Sequence, residues 1–370
     1  MKICDDFIAL EINSNFLDEK KQQTDYKIKY VSEYVRLWTI ISAERDEVNS
    51  INFIDCMCNA GVYGDGDFCT AIEVLIIFME AASKHIDKKF NLYLNDYDKN
   101  KIDILSKVIA HIYKQKVNNL NVYVDNIDVN DYLDGLANNS SVFGRGKSTI
   151  LYIDPFDFGT VIIPKVSQVL KNNYCEVIFN FFSSDYRRNI RQDKERIKKC
   201  IGGLTIESKE EIVQYIKKQL RVGSIKYLFS YEFKTKTNVE LYQIVFVTPS
   251  KKGLEKLKEV LWKVFDGKEF HRNADETGQM SLFTVDDEKE LRACEYATEA
   301  KKMLFSRYKD MEVSYTTIEM YLIENTMLRE GQIIKYVIKP MMEEGILHKK
   351  GKTKKSSNFK EDTYMVGVIQ

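Results

Sequence analysis

The sequence predicts a seven-stranded, doubly wound α/β fold over residues 25–267, and three observations support this prediction. Short apolar runs alternate with helical patterns, as in repeated β-α units that build a mostly parallel sheet. Four consecutive runs each end in an aspartate: Ile51–Asp55, Phe90–Asp96, Asn121–Asp125 and Thr149–Asp154. After a fifth apolar run, two more are separated only by a polar turn, which predicts an antiparallel hairpin: Glu176–Phe182, then Ile225–Phe233 and Leu241–Val247.

Helical spacing of apolar residues predicts the elements that cover this sheet. The clearest helices are an entry helix before the first strand and one helix after each of the first two strands: Lys27–Ala43, Ala71–Ala82 and Lys99–Tyr113. Residues 1–24 then form an N-terminal extension, and the polar, acidic residues 268–292 are predicted to be a linker.

Residues 293–370 are predicted to form a second domain. Three helical patterns are followed by a lysine-rich turn and a final strand: Ala297–Tyr308, Tyr315–Leu322, Arg329–Glu344 and Thr363–Ile369. Three helices with a β-wing predict a winged-helix-like domain.

Composition restricts the classes of protein that fit this chain. Its 370 residues contain 55 Lys plus Arg and 55 Asp plus Glu, so the whole-chain charge gives no sign of a polyanionic partner. No run approaches the roughly eighteen apolar residues of a membrane span, and acids occupy the N-terminus, so we expect a cytoplasmic protein without a membrane partner. The seven scattered cysteines predict reduced thiols, and Cys56 with Cys58 lacks a second ligand pair, so no metal site is predicted.

The aspartates that end the strands are candidate site residues. Ligands of open α/β sheets lie outside the carboxyl ends of the strands, so these side chains are expected to converge on one crevice. Asp96 could accept hydrogen bonds from both hydroxyls of a ribose, and Asp125 from an adenine amino group. The alternative for each aspartate is a structural cap of a turn or helix.

The segment Asp154-Pro155-Phe156 is the most specific motif. Proline fixes the chain beyond the strand and orients its own carbonyl, which is one acceptor. Asp154 supplies a second acceptor, and Phe156 supplies a flat apolar face. An acceptor pair with an aromatic ring suits a planar amine held in line with a methyl donor, because methyl transfer depends mainly on positioning. By contrast, Gly144–Ser148 is not a phosphate loop, because Ser141 stands where the motif needs glycine and the loop precedes a strand.

Several segments together resemble the three-Cys-motif partner proteins, which are bacterial class I methyltransferase-like proteins named for a neighbouring protein with three cysteines. The segments are Lys27–Trp38, Asp55–Tyr63, Asn95-Asp96, Asp154–Gly159, Asn180-Phe181 and Leu241–Phe246. The resemblance implies a class I methyltransferase-like (Rossmann-like) sheet, S-adenosyl-L-methionine (SAM) as cofactor, and a three-Cys-motif protein as partner. It implies a cofactor site made by the loop of Asp55, Asn59, Gly61 and Tyr63 together with Asp96, with Asp154, Pro155 and Phe156 at the reacting end. The strand pattern adds Asp125 to the predicted cofactor-binding residues.

Two functions remain open at this point. In the first, the protein transfers a methyl group from SAM to an amino group on a nucleic acid, which the intact Asp154-Pro155-Phe156 motif favours. In the second, a degenerate methyltransferase fold binds nucleic acid or protein. The Asn59-Ala60-Gly61 loop favours this function, because it keeps only one of the two glycines that the family's loop carries. A lysine-rich wing could bind phosphates or could be a solvated turn: Lys349, Lys350, Lys352, Lys354 and Lys355.

Overall fold

A computed structural model describes residues 12, 16–20, 22–182, 193–206, 208–235, 237, 239–272, 284–350 and 362–367. These residues divide into two compact units. The first contains those within Met1–Gly253 and His271–Asp275, and the second those within Leu254–Phe270 and Glu276–Gln370.

The first unit is built on a sheet in the order β3-β2-β1-β4-β5-β7-β6-β8. The strands are β1 (Ser50–Asp55), β2 (Lys89–Asn95), β3 (Leu120–Asp125), β4 (Lys147–Ile153), β5 (Glu176–Phe181), β6 (Tyr227–Lys234), β7 (Glu240–Thr248) and β8 (Phe270–Arg272). Strands β1 to β5 are parallel, and β7 lies antiparallel between β5 and β6. An antiparallel strand inserted there separates methyltransferase sheets from those of dinucleotide-binding dehydrogenases, so the predicted fold class is confirmed. The short edge strand β8 adds an eighth strand to the seven predicted.

Helices connect the strands. They are α1 (Gln22–Ala43), α2 (Thr70–Lys84), α3 (Lys99–Ile112), α4 (Val129–Leu136), α5 (Ile163–Asn172), α6 (Lys194–Cys200), α7 (Lys209–Leu220) and α8 (Lys251–Val264). The side chains that precede three of these helices accept hydrogen bonds from backbone N–H groups of the first turn. Asp98 accepts from the N–H of Asn100, Asp128 from that of Asn130, and Ser208 from that of Glu211. These caps fix where each helix begins.

The core lies on both faces of the central strands. All six residues of β1 and all six of β5 are buried, as expected for parallel strands covered by helices on both sides. One continuous apolar cluster joins these strands to α4, α5 and α7 through side chains such as Leu133, Val166 and Ile212. The central strands are therefore rigidly placed, and their carboxyl ends form a fixed edge.

A buried carboxyl group joins three elements at the opposite end of the sheet, near the amino end of β5. Glu176 at the start of β5 accepts hydrogen bonds from Tyr34 of α1 and from Thr248 of β7, each with an oxygen–oxygen distance of 2.6 Å. Burial raises the pKa of Glu176, and the two hydrogen bonds partly offset that rise. Gly253 of α8 passes so close that an added Cβ would overlap Glu176 Oε1 and lie 2.7 Å from Thr248 Oγ1.

The second unit contains helices and a small antiparallel sheet in the order β10-β11-β9. Its elements beyond α8 are α9 (Val285–Tyr308), β9 (Glu312–Ser314), α10 (Tyr315–Asn325), α11 (Glu330–Ile333), a π-helical segment (Ile334–Ile338), α12 (Lys339–Glu343), β10 (Leu347–Lys350) and β11 (Thr363–Val366). Thr284 and Asp287 form a capping box that starts α9. The interval 268–292, predicted to be a linker, therefore contains β8 and the first turns of α9.

None of the helices in the described ranges combines the length and the apolar character that a membrane span requires.

The contact at Gly253 predicts opposite effects for two glycine substitutions in helices. Gly253→Ala should lower the free energy of unfolding by about 1–3 kcal/mol, because overpacking against Glu176 exceeds the gain in helix propensity. Gly135→Ala is the matched control: nothing lies within 4 Å of an added Cβ, so we expect a gain of up to about 1 kcal/mol. Urea unfolding measures both changes, and equal effects of the two substitutions would contradict the contact.

The raised pKa of Glu176 predicts a pH dependence of stability. Below about pH 4.5, Glu176 is protonated in both the folded and the unfolded protein. Above that pH, the carboxyl group ionises first in the unfolded protein, because its pKa is higher in the folded protein. The free energy of unfolding therefore falls as the pH rises towards the folded-state pKa. The loss has a limiting slope of about 1.4 kcal/mol per pH unit. Glu176→Gln cannot ionise, so its unfolding free energy, measured in urea from pH 4 to pH 8, should lack this component. Parallel pH curves for the two proteins would exclude it.

Candidate functional site

A cavity of about 350 Å³ opens at the carboxyl ends of β1 and β4. Six of the nine predicted catalytic and cofactor-binding residues line it: Asp55, Asn59, Tyr63, Asp154, Pro155 and Phe156. The other three, Gly61, Asp96 and Asp125, are not among its lining residues. The cavity thus brings together the loop after β1 and the motif after β4, which are about 100 residues apart in the sequence.

The loop after β1 turns at Asn59, whose backbone is left-handed at φ 60°. Asparagine tolerates this conformation better than most residues other than glycine. Its side chain donates to Asp18 Oδ2 at 2.7 Å, and its own Oδ1 accepts from the Ala60 N–H at 2.6 Å. Gly61 follows at φ 84°, and a Cβ there would lie 2.8 Å from Leu105 of α3, so the turn also requires close packing.

Asp96 stabilises this loop. One carboxylate oxygen accepts from the Asn59 N–H at 2.9 Å and the other from the Asp98 N–H at 2.9 Å. The residue is only 5% exposed. Asp125 is half-buried, and its carbonyl accepts from the Asp96 N–H at 3.3 Å. The Asp96 side chain therefore holds backbone at the edge of the sheet, whereas the contact of Asp125 is made by its main chain.

Asn95, the residue before Asp96, connects the loops after β1 and β3. Its amide group donates to the Cys56 carbonyl at 3.1 Å and to the Ile127 carbonyl at 3.0 Å. Its Oδ1 accepts from the Ile127 N–H at 3.0 Å. The side chain is fully buried, so its hydrogen bonds satisfy backbone groups that water does not reach.

Asp154 is the centre of a second network. Its Oδ2 lies 2.5 Å from Lys27 Nζ and accepts from the Tyr152 hydroxyl at 3.0 Å. Its Oδ1 accepts from Asn180 Nδ2 at 2.6 Å. The Asn180 Oδ1 is buried and has no hydrogen-bond partner among the residues that the structure describes. Lys27 and Asp154 both line the cavity, so this end carries an ion pair.

Phe156 lies at the cavity mouth and is 54% exposed. The Lys101 ammonium is 4.5 Å from the centre of the Phe156 ring and also pairs with Asp18 at 2.8 Å. Beyond Phe156, Arg196 of α6 donates to both oxygens of Asp157 at 2.7 and 2.9 Å. The motif after β4 is therefore held from both sides, with one aromatic face open to solvent.

Burial sets the protonation of the groups inside the cavity. It raises the pKa of Asp55 well above its usual value, and the negative charges of Asp154 and Asp96 raise it further. Burial also raises the pKa of Cys69 to about 12, so the thiol is neutral at physiological pH. Within the described part of the chain, no group of three or more His, Cys, Asp or Glu side chains is arranged to hold a metal ion.

Two of the predicted wing lysines are described, and each is close to an acid of the small sheet. Lys349 pairs with Asp362 at 2.6 Å, and Lys350 lies 3.8 Å from Glu312. Lys352, Lys354 and Lys355 lie outside the described residues.

Four important residues were not predicted as site residues: Lys27, Asp18, Tyr152 and Asn180. Lys27 is 127 positions from Asp154, and no local pattern links them. Asp18 lies in the predicted N-terminal extension, yet it lines the cavity. Tyr152 and Asn180 looked like ordinary strand residues, although the alternation of side chains along β4 places Tyr152 on the same face as Asp154.

Comparison with known proteins gives structural neighbours only. No family model matches the chain, and no curated protein matches it. The chain is similar to a protein from Legionella pneumophila str. Philadelphia 1 (TM-score 0.38, 12% identity, 65% of this chain and 93% of that one). It is also similar to human methyltransferase-like protein 13 in complex with SAH (TM-score 0.32, 10% identity, 70% and 97%). A third neighbour is the 16S rRNA (adenine(1408)-N(1))-methyltransferase from Catenulisporales acidiphilia (TM-score 0.28, 9% identity, 59% and 93%).

These TM-scores are all below 0.5, so the fold assignment rests on the strand order and on the antiparallel placement of β7. On that basis, the first unit has a class I methyltransferase-like, Rossmann-like sheet.

The contacts of Asp96 predict a structural effect of a conservative substitution. Asp96→Asn places an NH₂ group against a backbone N–H, either of Asn59 or of Asp98, and leaves that donor unsatisfied. We expect a loss of about 1–3 kcal/mol in unfolding free energy and faster hydrogen exchange of the Asn59 amide. Asp103→Asn, which removes an exposed carboxylate from α3, is the control. Unchanged exchange at Asn59 would contradict the assigned role.

Proposed function

We propose that the first unit binds SAM in the cavity at the carboxyl ends of β1 and β4 and transfers its methyl group to an amino group. One observation carries the proposal: the loop Asp55–Tyr63 and the motif Asp154-Pro155-Phe156 line a single cavity. In open α/β sheets, this edge is where ligands bind.

The cavity fits a molecule of this kind in size and chemistry. Its volume of about 350 Å³ lies within the usual range for small-molecule sites, roughly 300–1,000 Å³. The carboxyl group of Asp55 offers an acceptor to an ammonium group, and the left-handed turn at Asn59 brings backbone to the wall. Asp96 supports this wall through its hydrogen bond to the Asn59 amide.

SAM supplies an electrophilic methyl group, and the residues of the chain position the acceptor. A carboxylate has about four lone-pair sites, and the described donors to Asp154 occupy three of them. The remaining site, on Oδ1, suits one N–H of an amino group. Pro155 contributes a carbonyl and Phe156 an exposed ring against which a planar base can stack.

The acceptor and the partners are further parts of the proposal. The second unit has the element order helix, strand, helix, helix, strand, strand, which supports a winged-helix-like domain at 293–370. The run of lysines in the sequence, Lys349, Lys350, Lys352, Lys354 and Lys355, favours a nucleic acid as the carrier of the amino group. Since Lys349 already pairs with Asp362, binding there would exchange one anionic partner for another. The three-Cys-motif protein is proposed as a partner on the sequence resemblance alone.

A second candidate function is a binding module without catalysis. Two observations favour it: Asp96 is turned to backbone rather than to the cavity, and Lys27 is already paired with Asp154. In that case the same fold would recognise a nucleic acid or a protein without transferring a methyl group.

Calorimetric titration with SAM and S-adenosylhomocysteine tests the first proposal. We expect one site per chain. Asp55→Asn should weaken SAM binding about tenfold or more, because a bound ammonium group favours the ionised form of Asp55, whose pKa burial raises, and asparagine cannot ionise. Asp154→Ala should leave SAM affinity nearly unchanged but abolish transfer of labelled methyl groups to a nucleic-acid pool, because the amino group loses its acceptor.

Asp103→Asn serves again as the control, since this carboxylate pairs with Lys99 on the exposed face of α3. No binding of either ligand by protein that still unfolds cooperatively would favour the binding module. A loss of SAM affinity in Asp154→Ala equal to that in Asp55→Asn would contradict the division of roles.

A further inference from the structure

A second cavity, of about 630 Å³, lies at the amino ends of the parallel strands, away from the proposed SAM site. Residues at the starts of three strands contribute to its walls: Arg45, Glu47 and Val48 before β1, Gly144 to Gly146 before β4 with Lys147 as its first residue, and Asn172 to Tyr174 before β5. None of these residues takes part in the site described above.

The loop before β4 has a well-defined backbone. Gly144 and Gly146 are both left-handed, at φ 122° and 76°. The Gly146 carbonyl accepts from the N–H groups of Asn49 and Ser50 at 2.8 and 3.2 Å, which ties the loop to the start of β1. Arg145, between the two glycines, is exposed and makes no hydrogen bond or ion pair with any residue that the structure describes. Its guanidinium therefore remains available on a preformed backbone.

The charge of the cavity favours an anion. Three basic side chains line it, Arg45, Arg145 and Lys147, against one acid, Glu47. Arg45 donates to Glu47 at 2.6 and 2.9 Å, so that acid is already paired. Lys147 Nζ donates to the carbonyls of Ser140 and Ser141 at 2.6 and 2.7 Å, which leaves one of its three N–H groups for a ligand. An unpaired guanidinium beside a lysine matches the oxygens of a phosphate group.

The residues before β5 supply an aromatic surface to the cavity. Tyr174 is 56% exposed, although it lines the cavity. The Asn173 side chain donates to the carbonyls of Ala137 and Val169 at 3.0 and 2.9 Å, so this wall is also fixed. An exposed ring can stack on a nucleobase, and a cavity of this volume exceeds what a phosphate ion alone requires.

We propose that this cavity binds a mononucleotide, with its phosphate on Arg145 and Lys147 and its base against Tyr174. A nucleic-acid strand is the less favoured occupant, because strand binding uses a basic groove with successive aromatic rings, and Tyr174 is the single exposed ring among the residues that line this cavity. The site does not depend on the proposed SAM site, since the two share no residue.

Calorimetry on the full chain tests the site with ADP, GDP, pyrophosphate and adenosine as ligands. We expect ADP or GDP to bind one site per chain. Arg145→Ala should weaken that binding about tenfold or more, and Arg145→Glu should abolish it, because a charge-assisted contact is lost and then reversed. Tyr174→Ala should weaken nucleotide binding but leave pyrophosphate binding unchanged. Arg145 is exposed, so these variants should unfold like the unsubstituted protein.

Arg36→Ala is the matched control, because Arg36 is an exposed arginine of the same unit that pairs with Glu80 outside this cavity. The proposal is overturned if neither ADP nor GDP binds. It is also overturned if Arg145→Glu leaves their affinity unchanged, since the ligand would then lie elsewhere, for example in the first cavity. Binding of single-stranded oligonucleotides without binding of either mononucleotide would overturn it in favour of a strand-binding surface.

Discussion

The proposed SAM site depends on how the carboxyl edge of the sheet satisfies its own backbone. Strands β1, β2 and β3 end side by side, and the loops that follow them leave N–H and C=O groups without ladder partners. Asn95 supplies hydrogen bonds to the loops after β1 and β3, and Asp96 accepts from the loop after β1 and from the start of α3. Because these side chains are buried, leaving a backbone group unpaired there would cost about 1–3 kcal/mol. The loop carrying Asn59 therefore has one well-defined course.

The entry helix α1 belongs to the site as much as the sheet does. Lys27 contacts Asp154 at the carboxyl end of β4, and Tyr34 contacts Glu176 at the amino end of β5. Tyr34 follows Lys27 by seven positions, which is about two helical turns or roughly 10 Å. Helix α1 therefore lies along the sheet and contacts both the carboxyl end of β4 and the amino end of β5. A change in the position of α1 would alter the ion pair at the cavity and the buried carboxyl together.

The sequence predicted the fold well because the signals involved are local. Apolar runs of four to eight residues, each followed by a turn and a helical pattern, mark the strands of a parallel sheet, and six of the nine predicted site residues line one cavity. Asp96 follows β2 and Asp125 is the last residue of β3, and both strands lie beyond β1 in the sheet, so these residues are farther from β4 than Asp55 is. The ion pair of Lys27 with Asp154 could not be predicted, because it joins distant positions through tertiary packing. The acidic residues 286–288 suggested a linker, but the cap at Thr284 makes them the first turn of α9, where negative charge favours the helix dipole.

The π-helical segment at Ile334–Ile338 has a consequence for how this chain can vary. A π segment accommodates one residue more than an α-helix of the same rise, and Val337 and Ile338 of this segment are buried. Pro340 lies two residues beyond the segment, in the first turn of α12, where a missing N–H is tolerated because the local ladder is already irregular. Deletion of a single residue within this segment would restore a regular α-helix in register at both ends. Related chains should therefore differ in length by one residue here more readily than elsewhere in the second unit.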